Sequence, residues 1–111
     1  MGDIKFKREG RELNAVGVFE GVKRITLGSG KDILLARFEY EKGSSVPPHK
    51  HAYEQVTTVL KGRQRIIIKK DDSSEEIIVE GGDSYIVPPD YEHEQFSLEE
   101  TITIDAWSLA P

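Results

Sequence analysis

From Gly21 onward the chain is a succession of short runs rich in β-branched residues, each stopped by turn-forming residues after roughly 8 to 12 positions, the spacing of a β-sandwich or barrel. The pattern predicts strands over residues 22–27, 33–40, 54–60, 64–69, 76–80, 84–87, 94–98 and 101–108. The stops include Gly28-Ser29-Gly30, Lys42-Gly43-Ser44-Ser45, Asp71-Asp72-Ser73-Ser74, Gly81-Gly82-Asp83 and Pro88-Pro89-Asp90. No helical stripe competes with this punctuation, so the fold class is all-β. An open sheet of so many short strands would expose its edges, whereas a closed barrel or a two-sheet jelly roll protects them. With 111 residues the chain has room for one domain. Residues 15–111 are assigned to the barrel, and residues 1–14, which alternate charges with single apolar side chains, to an N-terminal arm or edge strand.

The absence of cysteine excludes disulfides, thiolate metal sites and a cysteine nucleophile, so any metal must sit on His, carboxylate or amide ligands. A formal charge of -5 argues against nucleic acid as a partner, because non-specific affinity for it is built from clustered Lys and Arg. No apolar run is long enough to suggest a membrane partner. The N-terminal residues lack the apolar core of a secretory signal, and a cytoplasmic location is expected. The basic run from Lys61 to Lys70 is read as a solvated strand whose charges discourage edge pairing.

The three histidines, His49, His51 and His93, carry the main chemical signal. In extended structure residues two apart share a face, so His49 and His51 can converge while Lys50 turns away. The same parity reaches Tyr53 and Gln55, whose amide oxygen can ligate a metal. Glu54 has the opposite parity and would replace Gln55 only if a bulge near Pro47-Pro48 or Tyr53 reversed it. His93 completes three nitrogens and one oxygen if its strand neighbours the first. Such a set suits one divalent transition metal, with Mn, Fe, Ni, Co and Zn all compatible.

The spacing extends this signal. Gly43, five residues, His49, one residue, His51, three residues, Gln55, six residues and Gly62 resemble the first motif of the cupin family, with Gln in the usual Glu position. Gly82, five residues, Pro88, Asp90, two residues, His93, three residues and Ser97 resemble its second motif, with Asp where Gly is usual and Ser where Asn is usual. The resemblance implies a single-domain cupin jelly roll, the double-stranded β-helix, with His49, His51, Gln55 and His93 as metal ligands and with open coordination positions. It also implies a homodimer, commonly made by pairing outer strands and exchanging N-terminal segments.

Three stretches, 48–55, 82–89 and 104–108, are similar to one subgroup, the pectin- and alginate-degradation cupins that convert 4,5-unsaturated monouronates to linear keto-sugar acids. In that subgroup an Asp-x-aromatic pair lies by the metal, matched here by Asp105 and Trp107, while the usual Pro-Pro-Arg tail is missing from this chain. Parity puts Thr101, Thr103, Asp105 and Trp107 on one strand face. If that face lines the barrel mouth, Asp105 would shuttle a proton and Trp107 would stack on a sugar ring. Arg24 is a candidate for gripping a substrate carboxylate, and Tyr85 and Phe96 are candidate pocket walls. The function expected is metal-assisted ring opening and isomerisation of an unsaturated uronate. A metal-dependent dioxygenase and a non-catalytic sugar-binding or sensing module stand as alternatives.

Overall fold

The computed structural model describes residues 15–108, so the N-terminal arm expected over residues 1–14 lies outside the described residues. Its strands are β1 (Ala15–Phe19), β2 (Val22–Ser29), β3 (Ile33–Tyr40), β4 (Ser45–His49), β5 (Gln55–Lys61), β6 (Arg63–Lys70), β7 (Ser73–Glu80), β8 (Ser84–Val87), β9 (Glu92–Ser97) and β10 (Thr101–Ser108). They form a six-stranded sheet in the order β1-β2-β3-β10-β5-β8 and a four-stranded sheet in the order β4-β9-β6-β7. Every pairing is antiparallel. The all-β expectation therefore holds, and no helix among the described residues is long and apolar enough to cross a membrane.

The sheets face each other across two apolar clusters. Val59, Tyr85 and Val87 of the larger sheet meet Ile66 and Val79 of the smaller one, and Val22 and Tyr40 meet Val46. Much of the rest of the interior is polar: Gln55, Thr57, Gln64, Gln95, Ser97, Thr101, Thr103 and Asp105 are all buried. Burying that many polar side chains is tolerable only where they bond one another, since an unpartnered buried group costs about 1–3 kcal/mol.

Three local features place the functional side chains. First, β10 lies between β3 and β5, and register sets Asp105 opposite Ala36 on one side and Thr57 on the other. Second, β4 pairs with β9 so that His49 stands directly opposite His93. Third, Asp90 takes a left-handed conformation (φ 66), which Asp tolerates better than most side chains. Its N–H donates to the His51 carbonyl at 2.8 Å, tying the His51 loop to the turn before β9. Asp thus serves the turn where the family pattern has Gly.

Two sequence expectations are corrected. The basic strand β6 is not an edge: it is flanked by β9 and β7, with Gln64 and Ile66 turned inward and fully buried, and β7 forms the edge instead. The chain is also not extended from His51 to Gln55. Strand β4 ends at His49, residues 50–54 bend, and Gln55 enters as the first residue of β5.

Gly62, in the turn between β5 and β6, has φ 99, and a Cβ there would fall 2.4 Å from the Glu100 carbonyl oxygen and 2.6 Å from Thr101 Cα. Backbone on that side cannot yield cheaply. Gly62→Ala is expected to destabilise the protein by about 3 kcal/mol, combining backbone strain with overpacking. A chemical denaturation midpoint unchanged from the parent would contradict this.

On the outer face of the larger sheet, Leu35, Ala106, Val56 and Ile86 stand side by side across four strands. Leu35, Val56 and Ile86 are exposed.

Candidate metal centre and cavity

His49, His51 and His93 converge, with their ligating nitrogens all within 4.8 Å of one another. The ring centroids of His49 and His93 are 4.0 Å apart, and those of His51 and His93 5.0 Å. Each Nδ1 faces a backbone carbonyl: His49 that of Pro47 at 3.0 Å, His51 that of Tyr53 at 2.8 Å and His93 that of Tyr91 at 3.2 Å. A carbonyl only accepts, so each Nδ1 carries the proton and each Nε2 presents a lone pair to the common point. This arrangement fixes ring and tautomer as metal-ligating histidines require. Tyr53 stacks flat on His51 at 4.3 Å and holds its plane.

Gln55 closes the fourth side. Its Nε2 donates to Asp105 Oδ2 at 3.0 Å and to Thr57 Oγ1 at 2.9 Å, which turns Oε1 toward the histidines. Oε1 accepts from Trp107 Nε1 at 2.9 Å and lies 3.1 Å from His51 Nε2. Two lone pairs, one on a neutral imidazole and one on an amide oxygen, thus confront each other with no proton between them. The buried His93 Nε2 has no hydrogen-bond partner among the described residues. Both conditions are relieved by a cation at the point where the four atoms aim, so the donor set fits a divalent transition metal with three nitrogens and one oxygen. Burial and the neighbouring His49 lower the His93 pKa to about 4, His51 adding to the effect, which keeps this imidazole neutral. Glu54, the alternative oxygen donor, is exposed.

Asp105 sits behind Gln55. Its Oδ1 accepts from Thr103 Oγ1 at 2.6 Å, and its Oδ2 accepts from Thr57 Oγ1 at 2.8 Å and from the Gln55 amide. Burial raises its pKa to about 6, although these three bonds each favour the charged form. Of roughly four lone-pair positions on a carboxylate, one on Oδ1 remains for a proton. The inward face of β10 is therefore a bonded polar stripe.

These groups line a cavity of about 290 Å³ together with Arg24, Phe38, Tyr40, Gln95 and Trp107. The structure thus gathers His49, His51, Gln55, His93, Asp105, Trp107 and Arg24 around one space. It does not bring Tyr85 or Phe96 there. Tyr85 is buried in the apolar cluster with Val59 and Val87. Phe96 has the opposite parity to His93 on β9 and lies beneath the Arg65 guanidinium, 5.2 Å from the ring centroid. Gln95 was not among the expected site residues, yet it shares the parity of His93, a signal present in the sequence.

This constellation defines the chain as a cupin: it belongs to that family, matching the cupin domain over residues 36–102. The chain is 30% identical to the pectin degradation protein KdgF of Dickeya dadantii over 91 residues, 80% of this chain and 79% of that protein. Among solved structures it is similar to KdgF from Halomonas sp., with a TM-score of 0.78 and 21% identity over 87% of this chain and 88% of that one. It is equally similar in fold to an RmlC-like cupin from Shewanella frigidimarina, with a TM-score of 0.78 and 25% identity over 99% and 96% of the two chains. The family read from the two motifs is thereby established.

Proposed function

We propose that this cupin opens the ring of a 4,5-unsaturated monouronate and carries it to the linear keto acid. The observation that carries this reading is a buried carboxylate, Asp105, joined through the single amide of Gln55 to His51 in a cavity that also holds His49 and His93. The relationship to KdgF supplies the substrate class. A divalent metal held by His49, His51, Gln55 and His93 would supply Lewis acidity toward the carboxylate and hydroxyl oxygens of the substrate.

The chain's own groups perform the proton work. Asp105 accepts the proton of the hemiacetal hydroxyl at its free Oδ1 position while the bond between C1 and the ring oxygen breaks. The aldehyde and an enolate at C5 result, and Asp105 returns the same proton to C4 as the enolate becomes a ketone. No oxidant is consumed. Arg24 is a cation in the cavity wall whose buried Nε has no partner among the described residues, and it serves to anchor the substrate carboxylate. Trp107 offers an indole surface to the sugar while its N–H orients Gln55.

Under anaerobic conditions the metal-loaded protein is expected to bleach the ultraviolet absorbance of an unsaturated monouronate. Turnover appearing only with oxygen uptake would make it a dioxygenase, and retention of the uronate unchanged would make it a binding module.

The exposed row of Leu35, Val56 and Ile86 supports a homodimer through the outer sheet face, because large apolar patches mark interaction surfaces. Light scattering is expected to give a dimer mass for the parent and a monomer mass for Val56→Lys. A monomeric parent would contradict the assignment.

A further inference from the structure

Among the described residues, four buried polar side-chain atoms have no hydrogen-bond partner: Arg24 Nε, Gln64 Oε1, His93 Nε2 and Gln95 Oε1. His93 Nε2 belongs to the metal centre, and Arg24 is the carboxylate anchor of the proposed reaction. Gln64 is not part of the cavity wall, and its Nε2 donates to Ser97. Gln95 is different: it lines the cavity, is only 5% exposed, and leaves an amide oxygen unsatisfied beside the groups that do the chemistry. A buried acceptor in that condition is costly and persists where a donor arrives with a ligand or an ordered water.

The position restricts what that donor is. Gln95 follows His93 by two residues on β9, so the two side chains share a face and stand about 7 Å apart along the strand. Its Nε2 donates to the Tyr85 hydroxyl oxygen at 3.4 Å, and Tyr85 is also within hydrogen-bonding reach of Thr57, so the amide is held with its nitrogen toward the core. The oxygen left over accepts and cannot donate; it welcomes a hydroxyl and rejects a carboxylate. A cationic donor is disfavoured so near the metal centre and Arg24. Arg24, on β2 of the other sheet, is donor-only and selects the reverse chemistry. The two walls therefore sort the two ends of a hydroxy acid.

We propose that Gln95 is a specificity-determining residue whose Oε1 accepts a hydrogen bond from a non-anomeric ring hydroxyl of the substrate. The proposal rests on the uronate reading above. Because a 4,5-unsaturated uronate has no hydroxyl at C4, the hydroxyl in question is at C2 or C3.

The test measures binding by calorimetry on the metal-loaded protein, using D-glucuronate and its 2-deoxy and 3-deoxy analogues. These saturated acids lack the double bond needed for conversion. The parent is expected to bind glucuronate roughly ten- to a hundredfold more tightly than one of the two analogues. Gln95→Met, which keeps the volume and removes the acceptor, is expected to weaken glucuronate by that factor and to erase the preference, with metal stoichiometry unchanged. Gln95→Asn, which withdraws the same amide by one methylene, is expected to erase it too and serves if the Met variant does not fold. A parent without preference, or variants that retain it, would overturn the proposal and leave Gln95 holding a water only. If the metal-loaded parent binds none of the three acids, the uronate reading itself falls, and the role of Gln95 with it.

Discussion

Asp105→Asn is expected to lower kcat for an unsaturated monouronate by roughly 10²- to 10⁴-fold, the range for removing a positioned general acid–base group. The substitution separates chemistry from structure because Asn fits the same bonds. Its carbonyl can accept from Thr57 and Gln55 where Oδ2 now does, and its amide can donate to Thr103, whose hydroxyl can turn to accept. Gln55 then keeps its orientation, and the metal content should match the parent. The pH profile supplies a second readout. In the parent, Asp105 must be ionised to take the hemiacetal proton, so kcat/KM should climb as pH rises through about 6 and level off above it. In the Asn variant that inflection should vanish. Full activity in the variant would remove Asp105 from the reaction.

His93→Ala is expected to weaken metal binding about 100-fold. A four-ligand site is worth about 10–16 kcal/mol, so one ligand of four contributes on the order of 3 kcal/mol, which corresponds to that factor. His93 suits the test because its ring is buried, neutral and pinned to the Tyr91 carbonyl, so its Nε2 has no competing bond to lose. Competition against a chelator of known affinity measures the change. An affinity equal to that of the parent would place the metal elsewhere.

Most strands and the inward stripe of β10 were legible in the sequence because alternation is strong wherever one face is buried. Strand β4 was not among the predicted strands, since the Pro47-Pro48 pair within Ser45–His49 offers no N–H to a ladder. It pairs nonetheless because it is the edge of the smaller sheet, where proline need not donate on its open side. The convergence of His49, His51 and His93 follows the spacing read from the sequence. Gln55 reaches the same pocket by another route, through a bend and the start of β5, so parity led to a residue that faces the pocket for a reason the fold does not use. Tyr85 and Phe96 show the limit of proximity in sequence: one packs into the core and the other faces outward, because neighbours of a motif on a strand alternate sides. Gln95 was legible by the same alternation, two residues on from His93.

The most direct measurement of the account is a titration of metal-free protein with one divalent metal while anaerobic turnover of an unsaturated monouronate is followed. Activity absent at the start, rising linearly and breaking at one equivalent per chain is the expected result. Undiminished turnover in the metal-free protein, or none at any metal loading, would contradict a metal-dependent uronate-opening cupin.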